Sequence, residues 1–234
     1  MPDRPQTIGI ELTLANGQQK LWSGLLRREV RTVTDLPANR FDAQPNFVLN
    51  HQGQVTRLIP SAPENEPLYW KGPDDLSATV KLARKNQALQ LLITVTDNAH
   101  SQPFSGVESW KGDNVQCALQ LPGQSGLWEI GLTRLADGTP EVWVWMAPDG
   151  FSGERAAAAI KLNVDRNETG KTTTYQAEIP FEAIGLSEKT GRKGFLFNLF
   201  INDNDGKGRN NGISIAPGIA EGKSPDRYPT VRFR

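Results

Sequence analysis

Apolar and polar residues alternate along most of this chain. Ile8, Ile10, Leu12 and Leu14 fall on one face of an extended segment, with Gly9, Glu11 and Thr13 on the other. The same period of two recurs in Leu89, Leu91, Ile93 and Val95, and in Val115, Cys117, Leu119 and Leu121. It returns in Tyr175, Ala177 and Ile179 and in Phe195, Phe197, Leu199 and Ile201. Successive side chains of a strand point to opposite faces, so each run offers one apolar face to a core. Gly, Pro, Asn and Asp clusters bound the runs, and Asn16-Gly17 suits a tight turn after the first. Helical patterning is confined to the alanine-rich stretch Glu154 to Ile160 and to one turn over Pro180 to Gly185. The pattern predicts an all-β, antiparallel β-sandwich of the jelly-roll or immunoglobulin-like kind, with few short helical turns. Its shared core is expected to hold Leu91, Ile93, Val95, Val115, Leu119, Phe197, Leu199 and Ile201.

The first sixty residues are patterned differently. Strand-like pieces at 7–14, 20–34 and 46–50 are interrupted by Pro37, Pro45 and Pro60. Sixty residues bury little surface by themselves, so residues 1–60 read as extra strands on the main sandwich or as the end of a preceding unit. Proline-rich residues 61–67 read as an extended linker, and residues 68–234 as the sandwich itself. The opening Met1-Pro2-Asp3-Arg4-Pro5-Gln6 lacks the apolar stretch of a secretory leader and reads as the edge of a piece excised from something larger.

Composition removes several function classes. Lys plus Arg equals Asp plus Glu at 26 each and no basic run exceeds two residues, so neither nucleic acid nor a membrane surface is an expected partner. A single cysteine, Cys117, precludes an intrachain disulfide, and its place among Val115 and Leu119 marks it as a small core residue. The two histidines, His51 and His100, have no second histidine at metal-ligand spacing. No nucleophile elbow or phosphate loop occurs, so the chain is not expected to be an enzyme.

Five segments in order carry a resemblance. They are Tyr69-Trp70-Lys71-Gly72-Pro73-Asp74-Asp75-Leu76-Ser77-Ala78, then Val95-Thr96-Asp97-Asn98-Ala99-His100, then Trp110-Lys111-Gly112-Asp113-Asn114-Val115-Gln116. After them come Tyr175-Gln176-Ala177-Glu178-Ile179-Pro180-Phe181 and Phe197-Asn198-Leu199-Phe200-Ile201-Asn202-Asp203-Asn204-Asp205, with Arg209 downstream. In this order they resemble family 9 carbohydrate-binding modules, within the wider group of DOMON-like sandwiches. The resemblance implies a non-catalytic module that binds a glycan or oligosaccharide as part of a larger, secreted, polysaccharide-active protein with neighbouring domains. The implied location is extracellular or periplasmic.

Sugar recognition needs flat rings against C–H faces and polar groups at the hydroxyl rim. The resemblance puts Trp110 where the family has its first clamping tryptophan, and Gln116 where it often has Glu. The second clamp position falls at Ile215, which offers no π face, so stacking on one side only is expected. Trp143 and Trp145 share a strand face opposite Val142, Val144 and Met146. They form an alternative sugar platform, a contact with a neighbouring domain, or surface covered by residues 1–60. Asp203 and Asp205 begin a calcium-like loop, although the twelfth position is Ser214 and not the carboxylate of an EF-hand. Calcium held with Asp97 or Asp113, or a hydrogen-bonded turn, are the two readings. A ligand-free structural module is the alternative function, and haem between Met146 and His100 a minor one.

Overall fold

The computed structural model describes residues 6–13, 19–26, 33–58, 70–220 and 222–234, in two compact units that divide between Thr32 and Val33. The first unit holds an antiparallel pair, β1 (Gln6–Thr13) and β2 (Gln19–Leu26). The expected Asn16-Gly17 turn and the linker at 61–67 lie outside the described residues.

The second unit begins at Val33, and its first three strands are β3 (Val33–Leu36), β4 (Phe47–Leu49) and β5 (Val55–Arg57). All three join sheets made by later residues, so strands of this sandwich start well before residue 68. Next come β6 (Leu76–Lys85), β7 (Ala88–Asp97), β8 (Asn114–Gln120), β9 (Trp128–Arg134) and β10 (Pro140–Met146). The chain closes with β11 (Lys161–Asn167), β12 (Thr172–Pro180), β13 (Phe195–Asp203), β14 (Asn211–Ser214) and β15 (Thr230–Phe233). One sheet has the order β11-β12-β7-β6-β4. The other runs β10-β9-β8-β13-β14-β5, with β15 pairing β13 and β3. Every pairing is antiparallel except β15 with β3.

The fold is the all-β sandwich that the alternation predicts. Leu91, Ile93, Val95, Val115, Leu119, Phe197, Leu199 and Ile201 are all buried in one cluster between the sheets. Cys117 lies there too, and burial pushes its thiol up to about 12. Trp128 is fully buried, and its Nε1 donates to Gln124 Oε1 and to the Ile184 carbonyl, which satisfies the indole's one polar group. Trp70 packs on the cluster and donates to the Leu76 carbonyl at 2.6 Å, anchoring the entry to β6.

The helices are short, as the patterning requires. α1 (Gly153–Ala159) is capped by Ser152, whose side chain accepts from the Arg155 amide. α2 (Phe181–Ile184) follows Pro180 and stops at Gly185, which is left-handed at φ 70°. A third turn, α3 (Glu188–Lys193), has no apolar periodicity, and its signal is the Ser187/Thr190 capping box.

The eight-stranded sheet also has an outer face. Residues 216–220 and 222–228 fold over part of it, burying Ala118, Leu127, Phe200, Ile219 and Tyr228 as a second small core. Asn198 exchanges hydrogen bonds with the backbone of Ala216, and Tyr228 Oη donates to the Gly218 carbonyl at 2.6 Å. These bonds hold the segment beside the rest of the outer face, where the polar residues of β8 and β9 face a cleft.

Candidate functional site

Alternation that buries Val115 and Cys117 must turn Gln116 outward, and in β9 it turns Glu129 and Gly131 outward as well. Gln116 and Glu129 form the floor of a cleft of about 330 Å³. Trp110, Trp145, Met146, Arg209, Ile219 and Lys223 also line it. Trp110 comes from the 3-10 turn Gly106–Lys111 and is 36% exposed, so it is a surface ring and not a core tryptophan.

That turn is tied to β10 by three contacts. Glu141 accepts from the Gly106 amide at 2.8 Å, Trp145 Nε1 donates to the Val107 carbonyl at 2.9 Å, and Trp143 lies against Gly106. Trp143 and Trp145 therefore do different work. Trp143 stays 37% exposed above the turn, while Trp145 lies over Gly131 and lines the cleft.

One expectation about this strand is corrected. Met146 does not share the inward face of Val142 and Val144, because the register shifts between Val144 and Met146, where Ile130 and Glu129 are their successive partners. The extra residue re-aims the chain, and Met146 becomes an exposed wall of the cleft. Period two carries no sign of such an insertion.

A second correction concerns stacking. Ile215 packs on the inter-sheet core and donates its amide to the Leu199 carbonyl, so it is no wall of the cleft. The second aromatic there is Trp145, and the cleft is not limited to one ring. Room for that ring depends on Gly131, since a Cβ at this position would collide with it. Gly131→Ala is expected to displace Trp145 at a cost of about 1–2 kcal/mol. Calorimetric unfolding should show a lower Tm.

Polar groups of the cleft are unevenly satisfied. Lys223 Nζ donates to Glu129 Oε1 at 2.6 Å and to the Ile219 carbonyl at 3.0 Å. Gln116 Nε2 donates to the same Glu129 oxygen at 3.4 Å. The reverse amide orientation would set two oxygens together, so Gln116 Oε1 points elsewhere, and it has no hydrogen-bond partner although the residue is only 5% exposed. A buried acceptor without a donor is costly to the folded state. Arg209 donates through Nε to Asn202 Oδ1. Its guanidinium lies 5.1 Å from the Trp110 ring centroid and 5.5 Å from that of Phe200.

Asp203 ends β13, and Asp205 lies in the turn beyond it. Asp97, Asp203 and Asp205 bring carboxylate oxygens within 4.8 Å of one another, and Asp97, His100 and Asp113 form a second such group. Burial, with the charges of Asp205, Asp97 and Asp75, pushes the Asp203 carboxyl up to about 8. Burial and the charge of Asp97 raise Asp113 well above the usual range, and burial also raises Asp205. His100 faces Asp97 and Asp113 through Nδ1, whereas Met146 stands in the cleft.

The carboxylates also brace the site. Asp113 Oδ1 accepts from the Asn204 amide at 2.6 Å, and Asn204 Nδ2 donates to the Lys111 carbonyl at 3.1 Å. Asn204 Oδ1 in turn receives the amides of Gly206 and Gly208. The Trp110 turn and the loop leading to Arg209 are thereby joined through one asparagine. Sequence reasoning found Trp110, Gln116 and Trp145 but passed over Glu129 and Lys223, which have no motif and meet only because β9 and residues 222–228 converge.

No protein-family model matches the chain, and no curated protein matches it significantly. A family 9 carbohydrate-binding module from Caldicellulosiruptor kristjanssonii, solved with cellotriose, has a similar structure at a TM-score of 0.52 and 14% identity. The match covers 86% of this chain and 92% of that one. The same module solved with glucose matches at a TM-score of 0.52 and 14% identity, over 87% of this chain and 95% of the other. The chain thus folds like a family 9 carbohydrate-binding module.

Proposed function

We propose that this protein is a non-catalytic carbohydrate-binding module whose site is the outer-face cleft lined by Trp110 and Trp145. The observation that supports this most is the lining of the cleft, which sets the rings of Trp110 and Trp145 beside the polar side chains of Gln116, Glu129 and Arg209. Rings supply stacking surface for C–H faces, and Gln116, Glu129 and Arg209 supply acceptors and donors for hydroxyls. The similar structures bind glucose and cellotriose, which supports sugars as ligands here. Such a module works extracellularly, beside other domains of a polysaccharide-active protein.

Titration of the protein with mono- and oligosaccharides, followed by tryptophan fluorescence, tests the reading. A saturable change near millimolar sugar or below is expected, since Trp110 and Trp145 both line the cleft. No response to any of a broad glycan panel would leave a structural module without ligand.

Calcium is the proposed companion. Asp97, Asp203 and Asp205 cluster their carboxylates, and burial raises Asp203 and Asp205; hard oxygen ligands in this arrangement suit Ca²⁺. Asp97, Asp203 and Asp205 would hold it, and the ion would stiffen the loop that carries Arg209.

A further inference from the structure

We infer that the cleft prefers a sugar bearing a carboxylate, a hexuronate, over the matching neutral sugar. The inference rests on the glycan-binding reading above and concerns the charge that the cleft lacks. Glu129 is already neutralised by Lys223 at 2.6 Å. Arg209 is the second cation, and among the described residues no carboxylate lies within ion-pair distance of it. Its Nε is committed to Asn202, while its two terminal nitrogens have no hydrogen-bond acceptor among those residues. Burial lowers its pKa to about 10, with the charge of Glu129 acting the other way. The cleft therefore carries one uncompensated positive charge.

A half-buried cation without a counter-charge is unfavourable, and the flanking faces of Trp110 and Phe200 offset only part of that cost. A neutral sugar can stack on the Trp110 ring, but it leaves the guanidinium unpaired. A hexuronate does both. Its ring stacks in the same way, and its planar carboxylate matches the two parallel N–H groups of the arginine fork. The cleft, at about 330 Å³, lies at the small end of small-molecule sites.

The test is calorimetry on the full chain with sodium glucuronate, glucose, the methyl ester of glucuronic acid and glucose 6-sulfate. Glucuronate is expected to bind about tenfold or more tightly than glucose. The uncharged methyl ester should fall to the glucose level, and the advantage should shrink with added salt. Arg209→Gln, checked for folding by circular dichroism, should weaken glucuronate about tenfold more than it weakens glucose. If that variant does not fold, the ester comparison on the unmodified protein decides. Glucose or the ester binding as tightly as glucuronate would overturn the inference, and tighter binding of the sulfate would overturn its carboxylate. If none of the four binds and no neutral oligosaccharide binds either, the glycan-binding reading itself fails. Neutral binding without acidic preference defeats this inference alone.

Discussion

Trp110→Ala is expected to weaken sugar binding roughly 30-fold while leaving the sandwich folded. The ring stands on a surface turn, 36% exposed, and is no member of the inter-sheet core. Its removal takes away one wall of the cleft and one of the two rings flanking Arg209. Central aromatic anchors commonly contribute about 2 kcal/mol or more to binding, which corresponds to roughly 30-fold. Circular dichroism should be unchanged, and calorimetry should show the loss. Undiminished affinity with intact fold would remove Trp110 from the site and leave Trp145 and Trp143 as the candidates.

Stability is expected to fall between pH 4 and 8 in the presence of a chelator and to recover with calcium. Asp203 titrates near 8 in the folded protein against an ordinary 3.8, because it is buried beside Asp205, Asp97 and Asp75. Between those values the folded state holds a proton that the unfolded state has released. The stability is thus fully present below about pH 4 and is lost as pH rises towards 8. Asp113 and Asp205, also raised, act in the same direction.

Calcium should reverse this slope by favouring the ionised carboxylates. At a hundred times its Kd it would add about 2.7 kcal/mol, equivalent to roughly 5–10 °C in Tm for a domain of this size. Asp203→Asn should flatten the pH dependence and remove the calcium shift together. A melting temperature indifferent to calcium and chelator at pH 8 would leave only the hydrogen-bonded turn around Asn204. Because Asn204 joins that turn to the Trp110 segment, sugar affinity should also drop when calcium is removed.

Comparison of sequence and structure shows which kinds of information are local. Strand faces repeat every two residues, so the outward position of Gln116 and the burial of its neighbours Val115 and Cys117 were legible from spacing alone. The terminal αL glycine of α2 was legible for the same reason, being a property of a few adjacent residues. Trp110 was found through a motif whose parts lie close together in the chain.

The irregularities were not local. The extra residue at Trp145 appears only when β10 pairs with β9, and that pairing turns Met146 into the cleft and seats Trp145 over Gly131. Ile215 matched a clamp position by order along the chain, yet it packs on the inter-sheet core. The sequence by itself therefore determined the all-β sandwich, most of the core and one side of the cleft, because alternation and turn residues act over short range. Only the tertiary structure decided the second aromatic wall, the Glu129–Lys223 pair and the uncompensated Arg209, because each depends on strands and loops far apart in sequence meeting in space.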